Sequence, residues 1–93
     1  MLFCLYCLDR ADGADLRAAT RPAHLAHLAA RRDQLVVVGP LLNDAGGAIG
    51  SLLIVRCATR AEAEAMAAED PYTRAGLFQS VSVHPWRQVF PES

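Results

Sequence analysis

Cys4-Leu5-Tyr6-Cys7 has the C-x-x-C spacing of a redox or metal-binding pair. Redox pairs of this kind stand in a turn leading into a helix, where the thiolate gains from the helix N-terminus. Here the pair falls inside an apolar run that reads as a strand, and residues three apart on a strand point to opposite faces. The two sulfurs therefore diverge, and both read as small buried hydrophobes, as does Cys57 at the end of a later strand. His24 and His27 lie three apart on a helical stretch, but a zinc site needs further ligands, and only His84 and scattered carboxylates remain to supply them. No metal site is expected. At about 100° per residue His24 borders the Leu25 and Leu28 stripe while His27 points toward solvent.

His24 is the more promising proton acceptor. Beside Pro22, close to a helix start, the helix dipole disfavours the imidazolium and leaves a neutral base at pH 7. A half-buried histidine hydrogen-bonded for structure fits equally well. Arg21 next to it suits a substrate carboxylate, or a pair with Asp15 or Asp70. Asp70 precedes Pro71, where helix capping is explanation enough, although a capping carboxylate can also orient a histidine. Tyr72, Phe78 and Trp86 are few enough to be core, or to wall an aromatic pocket. Gly39-Pro40 and Gly50-Ser51 flank a hairpin and suit turn geometry or a close backbone approach to a ligand.

Composition removes several classes of function. All nine basic residues are Arg, so Schiff-base chemistry and the P-loop lack their amine. Nine basic against ten acidic residues leave a net charge of -1, and the pI is near 6.2. No basic field exists to collect nucleic-acid phosphates, and Ser51 to Val55 offers no aromatic for stacking RNA bases. Gly46-Gly47 lies between strands and not at a helix entrance, so no phosphate loop forms and nucleotide binding is excluded. Met1 to Leu8 is cut off by Asp9-Arg10 and has neither the flanks of a signal peptide nor the length of a membrane span. With an odd number of cysteines, this implies a reduced, cytoplasmic protein without a membrane partner.

The elements that must position these groups follow from pattern. Leu2 to Leu8 reads as a strand. A helix follows with Pro22 as its N1 residue, or begins earlier near Leu16, with Leu25, Leu28, Ala29 and Leu35 at helical spacing. Leu35 to Val38 forms a second strand closed by Gly39-Pro40, Asn43 to Gly47 a turn, and Ser51 to Arg56 a third strand. Thr59-Arg60-Ala61-Glu62 has the spacing of a capping box and opens a helix over 60–69. Asp70 ends it and caps a short turn with Pro71 at N1 and Gly76 at its close. Val81 to His84 alternates as a fourth strand, running past Pro85 toward Phe90. The order is that of a ferredoxin-like βαββαβ domain of the α+β class, a single domain over 1–93 with a four-stranded antiparallel sheet and both helices on one face. Consecutive apolar positions in the strands leave the second face also wanting cover, which predicts an isologous homodimer through the sheet.

Arg21-Pro22-Ala23-His24-Leu25, Gly39-Pro40, Gly50-Ser51, Asp70-Pro71-Tyr72 and Val81-Ser82-Val83-His84-Pro85-Trp86, in this order, resemble the YciI-like (YCII-related) family over nearly the whole chain. The resemblance implies a ferredoxin-like protomer paired through its sheet in a dimeric α+β barrel-type assembly. It also implies a pocket centred on a histidine and an aspartate, which fall on His24 and Asp70. Ser51 is a weaker pocket candidate, with Arg21 and Tyr72 beside it as substrate-binding residues. The family often carries Trp in the helix before the Asp-Pro pair. Met66 stands in that region here and implies a different pocket shape. Relatives include a dehydrochlorinase of chlorinated hydroxyhydroquinones, and the wider group includes muconolactone isomerase. The implied activity is cofactor-free lyase or isomerase chemistry on a small oxygenated compound, with His24 as base and Asp70 orienting it. A non-catalytic, ligand-binding homodimer is the alternative.

Overall fold

The computed structural model describes residues 1–92. Strand β1 (Leu2–Asp9) leads to helix α1 (Ala14–Ala30), a 3-10 turn (Arg32–Gln34) and the hairpin of β2 (Leu35–Leu42) and β3 (Ala48–Arg56). Helix α2 (Arg60–Glu69), the short α3 (Pro71–Arg74) and strand β4 (Phe78–Trp86) complete the chain. The sheet runs β2-β3-β1-β4 with every neighbouring pair antiparallel, the ferredoxin-like α+β arrangement.

Alternation in β1 sends Phe3, Leu5 and Cys7 toward the helices and leaves Leu2, Cys4, Tyr6 and Leu8 on the other face. The two sulfurs diverge as expected. Cys4 is half-buried on the open face, whereas Cys7 is buried and its thiol is pushed up to about 12, mainly by burial. Phe3, Leu5 and Cys7 join Leu53, Val55, Cys57, Ala63, Met66 and Ala67 in one core between sheet and helices. Gly50 sits where a Cβ would stand 2.4 Å from the Cys7 carbonyl oxygen, so its requirement is the close approach of β1 rather than of a ligand.

Local signals placed α2 and α3. Thr59 Oγ1 accepts from the Glu62 amide at 3.2 Å, while the Glu62 carboxylate accepts from the amide of Ala58, one residue before the cap. Asp70 Oδ1 accepts from the Tyr72 amide at 2.9 Å, Pro71 is the first residue of α3, and Gly76 closes it at a φ of 77°.

Three expectations fail, each through proline or position. Helix α1 begins at Ala14, close to the earlier of the two starts read from the sequence, and Pro22 lies inside it and not at N1. Pro22 removes the amide that would bond the Ala18 carbonyl, a loss eased because both residues are solvent-exposed. Strand β2 continues through Gly39-Pro40 to Leu42, because it is an edge strand and a proline there need not break a ladder bond. Strand β4 begins earlier than expected, at Phe78, and ends at Trp86 without continuing toward Phe90.

Candidate functional site

Helix α1 buries a polar stripe. Gly13, Arg17 and His24 are buried, Thr20, His27 and Leu28 are half-buried, and Leu25 is exposed. The helix packs on α3 and leaves a gap toward β2 and β3. That gap is a cavity of about 440 Å³, within the range of small-molecule sites. Arg17, Arg21, His24 and Leu25 of α1, Val38 and Pro40 of β2, Ser51 of β3 and Tyr72 of α3 are among the residues that line it.

Two buried polar pairs form its chemical wall. His24 Nδ1 lies 2.9 Å from Asp70 Oδ1, and the two residues are 6% and 3% exposed. Because Asp70 Oδ1 also accepts from the Tyr72 amide, the aspartate carboxylate is the acceptor and Nδ1 the donor. A neutral His24 then carries its lone pair on Nε2. The His24 ring stacks on that of Tyr72, centroids 4.0 Å apart and 22° from parallel. The second pair is Arg17 and Asp9, joined by two bonds of 2.7 and 2.9 Å. Arg17 Nη2 also donates to Ser51 Oγ at 3.0 Å, and its guanidinium carbon lies 4.5 Å from the Tyr72 ring centroid. Burial works to lower the Arg17 pKa, and the Asp9 carboxylate more than offsets it, leaving it raised. Burial likewise pushes the Tyr72 phenol up, with Arg17 and Arg21 pulling the other way, so the hydroxyl keeps its proton at neutral pH.

All five residues singled out in the sequence meet at this place: His24, Arg21, Ser51 and Tyr72 line the cavity, and Asp70 stands directly behind His24. The reasons differ from those the sequence suggested. With the helix starting at Ala14, His24 is its eleventh residue and far from the N-terminal dipole. Arg21 pairs with neither Asp15 nor Asp70; among the described residues it makes no ion pair. Met66 is a core residue beneath the sheet and is not among those lining the cavity, so the substitution does not act there. Phe78 stands edge-on to Tyr72 at 5.9 Å, and Trp86, paired with Leu2, is not among the lining residues.

Arg17 and Asp9 were missed. With a helix start near Leu16, Arg17, Arg21 and His24 recur at i, i+4 and i+7 on one face, a pattern that reads as the solvent face of an amphipathic helix and so did not mark them. Asp9 carries no local signal, since a carboxylate after an apolar strand reads as its terminator.

His27 is half-buried, not solvated as expected from helical spacing. Burial, helped by Arg31, lowers its pKa against the opposing pull of Asp70 and Glu69. Its neutral form therefore contributes stability that is present above the ordinary imidazole value of about 6.5 and is lost as pH falls below it, because the unfolded chain takes up that proton first. His27→Gln is expected to show a smaller fall in Tm than wild type between about pH 7.5 and about pH 5.5. Parallel curves for the two proteins would show that His27 does not contribute.

Fold and site together define a small ferredoxin-like α+β protein with a buried histidine–aspartate pair in the wall of a ligand-sized cavity. The YCII-related domain matches residues 1–87, and the chain belongs to that family. It is 40% identical to Protein YciI of Escherichia coli O6:H1 over an alignment of 98 residues, covering 97% of this chain and 100% of the relative. An uncharacterized protein of Haemophilus influenzae is 31% identical at the same coverage. Among solved structures, 5-chloro-2-hydroxyhydroquinone dehydrochlorinase from Burkholderia phenoliruptrix AC1100, in complex with 2,5-dihydroxybenzoquinone, superposes with a TM-score of 0.87. It is 34% identical, with 94% of each chain covered.

Proposed function

We propose that this protein is a cofactor-free lyase or isomerase acting on a small oxygenated compound, of dehydrochlorinase-like or muconolactone-isomerase-like type, with His24 as the general base. The observation that carries the reading is the 2.9 Å bond from His24 to buried Asp70 in the wall of the cavity. It is supported by the fold shared with a dehydrochlorinase. Asp70 holds the ring in the tautomer with Nε2 free and favours the imidazolium that forms when Nε2 takes a proton. The electron pair left on the substrate then forms a new double bond. In a lyase it expels a leaving group such as chloride with the electrons of the broken bond; in an isomerase His24 returns the proton to another carbon. Tyr72 and Ser51 supply hydroxyl donors to substrate oxygens, and Arg21 a cation.

The test is consumption of 5-chloro-2-hydroxyhydroquinone, followed by chloride release, and of an unsaturated five-membered lactone, followed by absorbance. Wild type is expected to consume at least one of them, and His24→Ala to lose about 10² to 10⁴ of that rate. Full turnover by His24→Ala would remove His24 as the base, and no consumption by the wild type favours a non-catalytic ligand-binding homodimer. That second reading draws on the capping bond of Asp70, which already accounts for a buried carboxylate at this position.

The assembly we propose is a homodimer through the open sheet face. Tyr6, Val37 and Trp86 are exposed there beside half-buried Leu2, Leu8 and Leu52, an apolar surface that a second copy would cover. Sedimentation is expected to give twice the 10.0 kDa chain mass; a monomer at micromolar concentration would refute it. Among the described residues no helix is long and apolar enough to cross a membrane. The cysteines Cys4, Cys7 and Cys57 are free thiols, which supports the cytoplasm as its compartment.

A further inference from the structure

We infer that the cavity takes a small organic carboxylate and that Arg21 is the residue that binds its charge. The inference rests on the cavity being the functional site and goes further by naming the class of compound and its anchor.

The lining is one-sided in charge. Its ionisable residues are Arg17, Arg21, His24 and Tyr72, and no aspartate or glutamate is among the lining residues. Asp9 and Asp70 are bonded to the lining residues Arg17 and His24 but are not themselves among those that line the cavity. Arg17 is thereby neutralised locally, with both of its Asp9 bonds charge-assisted. Arg21 is different. It is exposed at the cavity and, among the described residues, makes neither an ion pair nor a side-chain hydrogen bond, while Arg31, just past the end of α1, pairs with Glu69. It is also near enough to Tyr72 to lower the pKa of its phenol. An unbalanced guanidinium beside the apolar walls of Leu25, Leu28, Val38 and Pro40 sets up a positive potential that favours an anion.

Carboxylate is the anion that fits. The guanidinium fork matches its two oxygens, and the apolar walls suit the hydrocarbon part of an organic acid better than inorganic phosphate or sulfate. Arg21 precedes His24 by three residues of α1, so their Cβ atoms are about 5–6 Å apart on one helix face. A carboxylate held by Arg21 therefore brings carbons a few bonds away within reach of His24. The compound favoured is an acid with its labile proton close to the carboxylate.

The test is calorimetric titration of wild type, Arg21→Gln and Arg21→Lys with benzoate, phenylacetate and crotonate, each against its own amide. Wild type is expected to bind the carboxylates more tightly than the amides, with an affinity that falls as salt is added. Arg21→Gln is expected to lose about ten- to a hundred-fold in carboxylate affinity, Arg21→Lys to recover part of it, and amide binding to stay unchanged. Because Arg21 is exposed and bonded to no other described residue, neither substitution endangers folding, which circular dichroism verifies. Carboxylates binding no better than their amides, or Arg21→Gln binding like wild type, would overturn the inference. The two readings fail separately. Carboxylates that bind through Arg21 but are always recovered unchanged would sink the catalytic reading alone. Turnover that needs His24 but is indifferent to Arg21 would sink this one alone.

Discussion

Asp70→Asn is expected to fold almost as stably as wild type yet to lose about 10²-fold or more in turnover, whereas Asp70→Ala is expected to lose both activity and stability. The separation follows from the two bonds made by one oxygen. Asp70 Oδ1 accepts from the Tyr72 amide and from His24 Nδ1, both at 2.9 Å. An asparagine keeps an oxygen able to accept both, so α3 retains its cap. What it lacks is the negative charge that favours the imidazolium when Nε2 takes a proton. Alanine removes the acceptor altogether, uncapping α3 and leaving the buried Nδ1 donor without a partner, at a cost of about 2–4 kcal/mol. In a chain of this size that corresponds to a fall in Tm of about 10–25 °C. Thermal melts and turnover of all three proteins decide the matter. Wild-type activity in Asp70→Asn would make the residue a helix cap and nothing more.

Arg17→Met carries the largest expected effect on stability, about 3–5 kcal/mol, because it leaves a buried carboxylate without its counter-charge. The Asp9 side chain is only 4% exposed and receives two bonds from Arg17. The same change removes the donor to Ser51 Oγ and the cation over Tyr72, so the cavity wall loosens as well. Methionine keeps much of the length of the apolar stem, which makes the loss chiefly electrostatic. Replacing both partners by apolar residues, Arg17→Met with Asp9→Leu, is expected to regain most of the stability, since no charge then stays buried alone. Urea denaturation of the single and double variants measures this directly. A single variant within about 1 kcal/mol of wild type would mean that water screens the pair.

Both predictions concern bonds between residues far apart in the chain, and such bonds divide what could be read early from what could not. Helix α2 was legible to the residue because Thr59, Glu62 and Asp70 act within a few positions of one another. The two faces of β1 were legible because alternation is a local rule. Pro22 and Pro40 misled for one common reason. Each is read as a boundary on its own, yet Pro22 is held within a helix packed on α3, and Pro40 lies on a sheet edge where no bond depended on its amide.

For the site, the residue types and their order in the chain were enough to select His24, Asp70, Arg21, Ser51 and Tyr72, through motifs that resemble those of a family. What those residues do to one another belongs to the tertiary structure. His24 and Asp70 stand 46 positions apart and meet because α1 packs on α3. Arg17 reaches Ser51 across 34 positions because β3 lies beneath α1, and it is bound to Asp9, which nothing in the local sequence marks. Capping and alternation act between neighbours and leave their trace in spacing. Pairing of buried charges acts through space and leaves none.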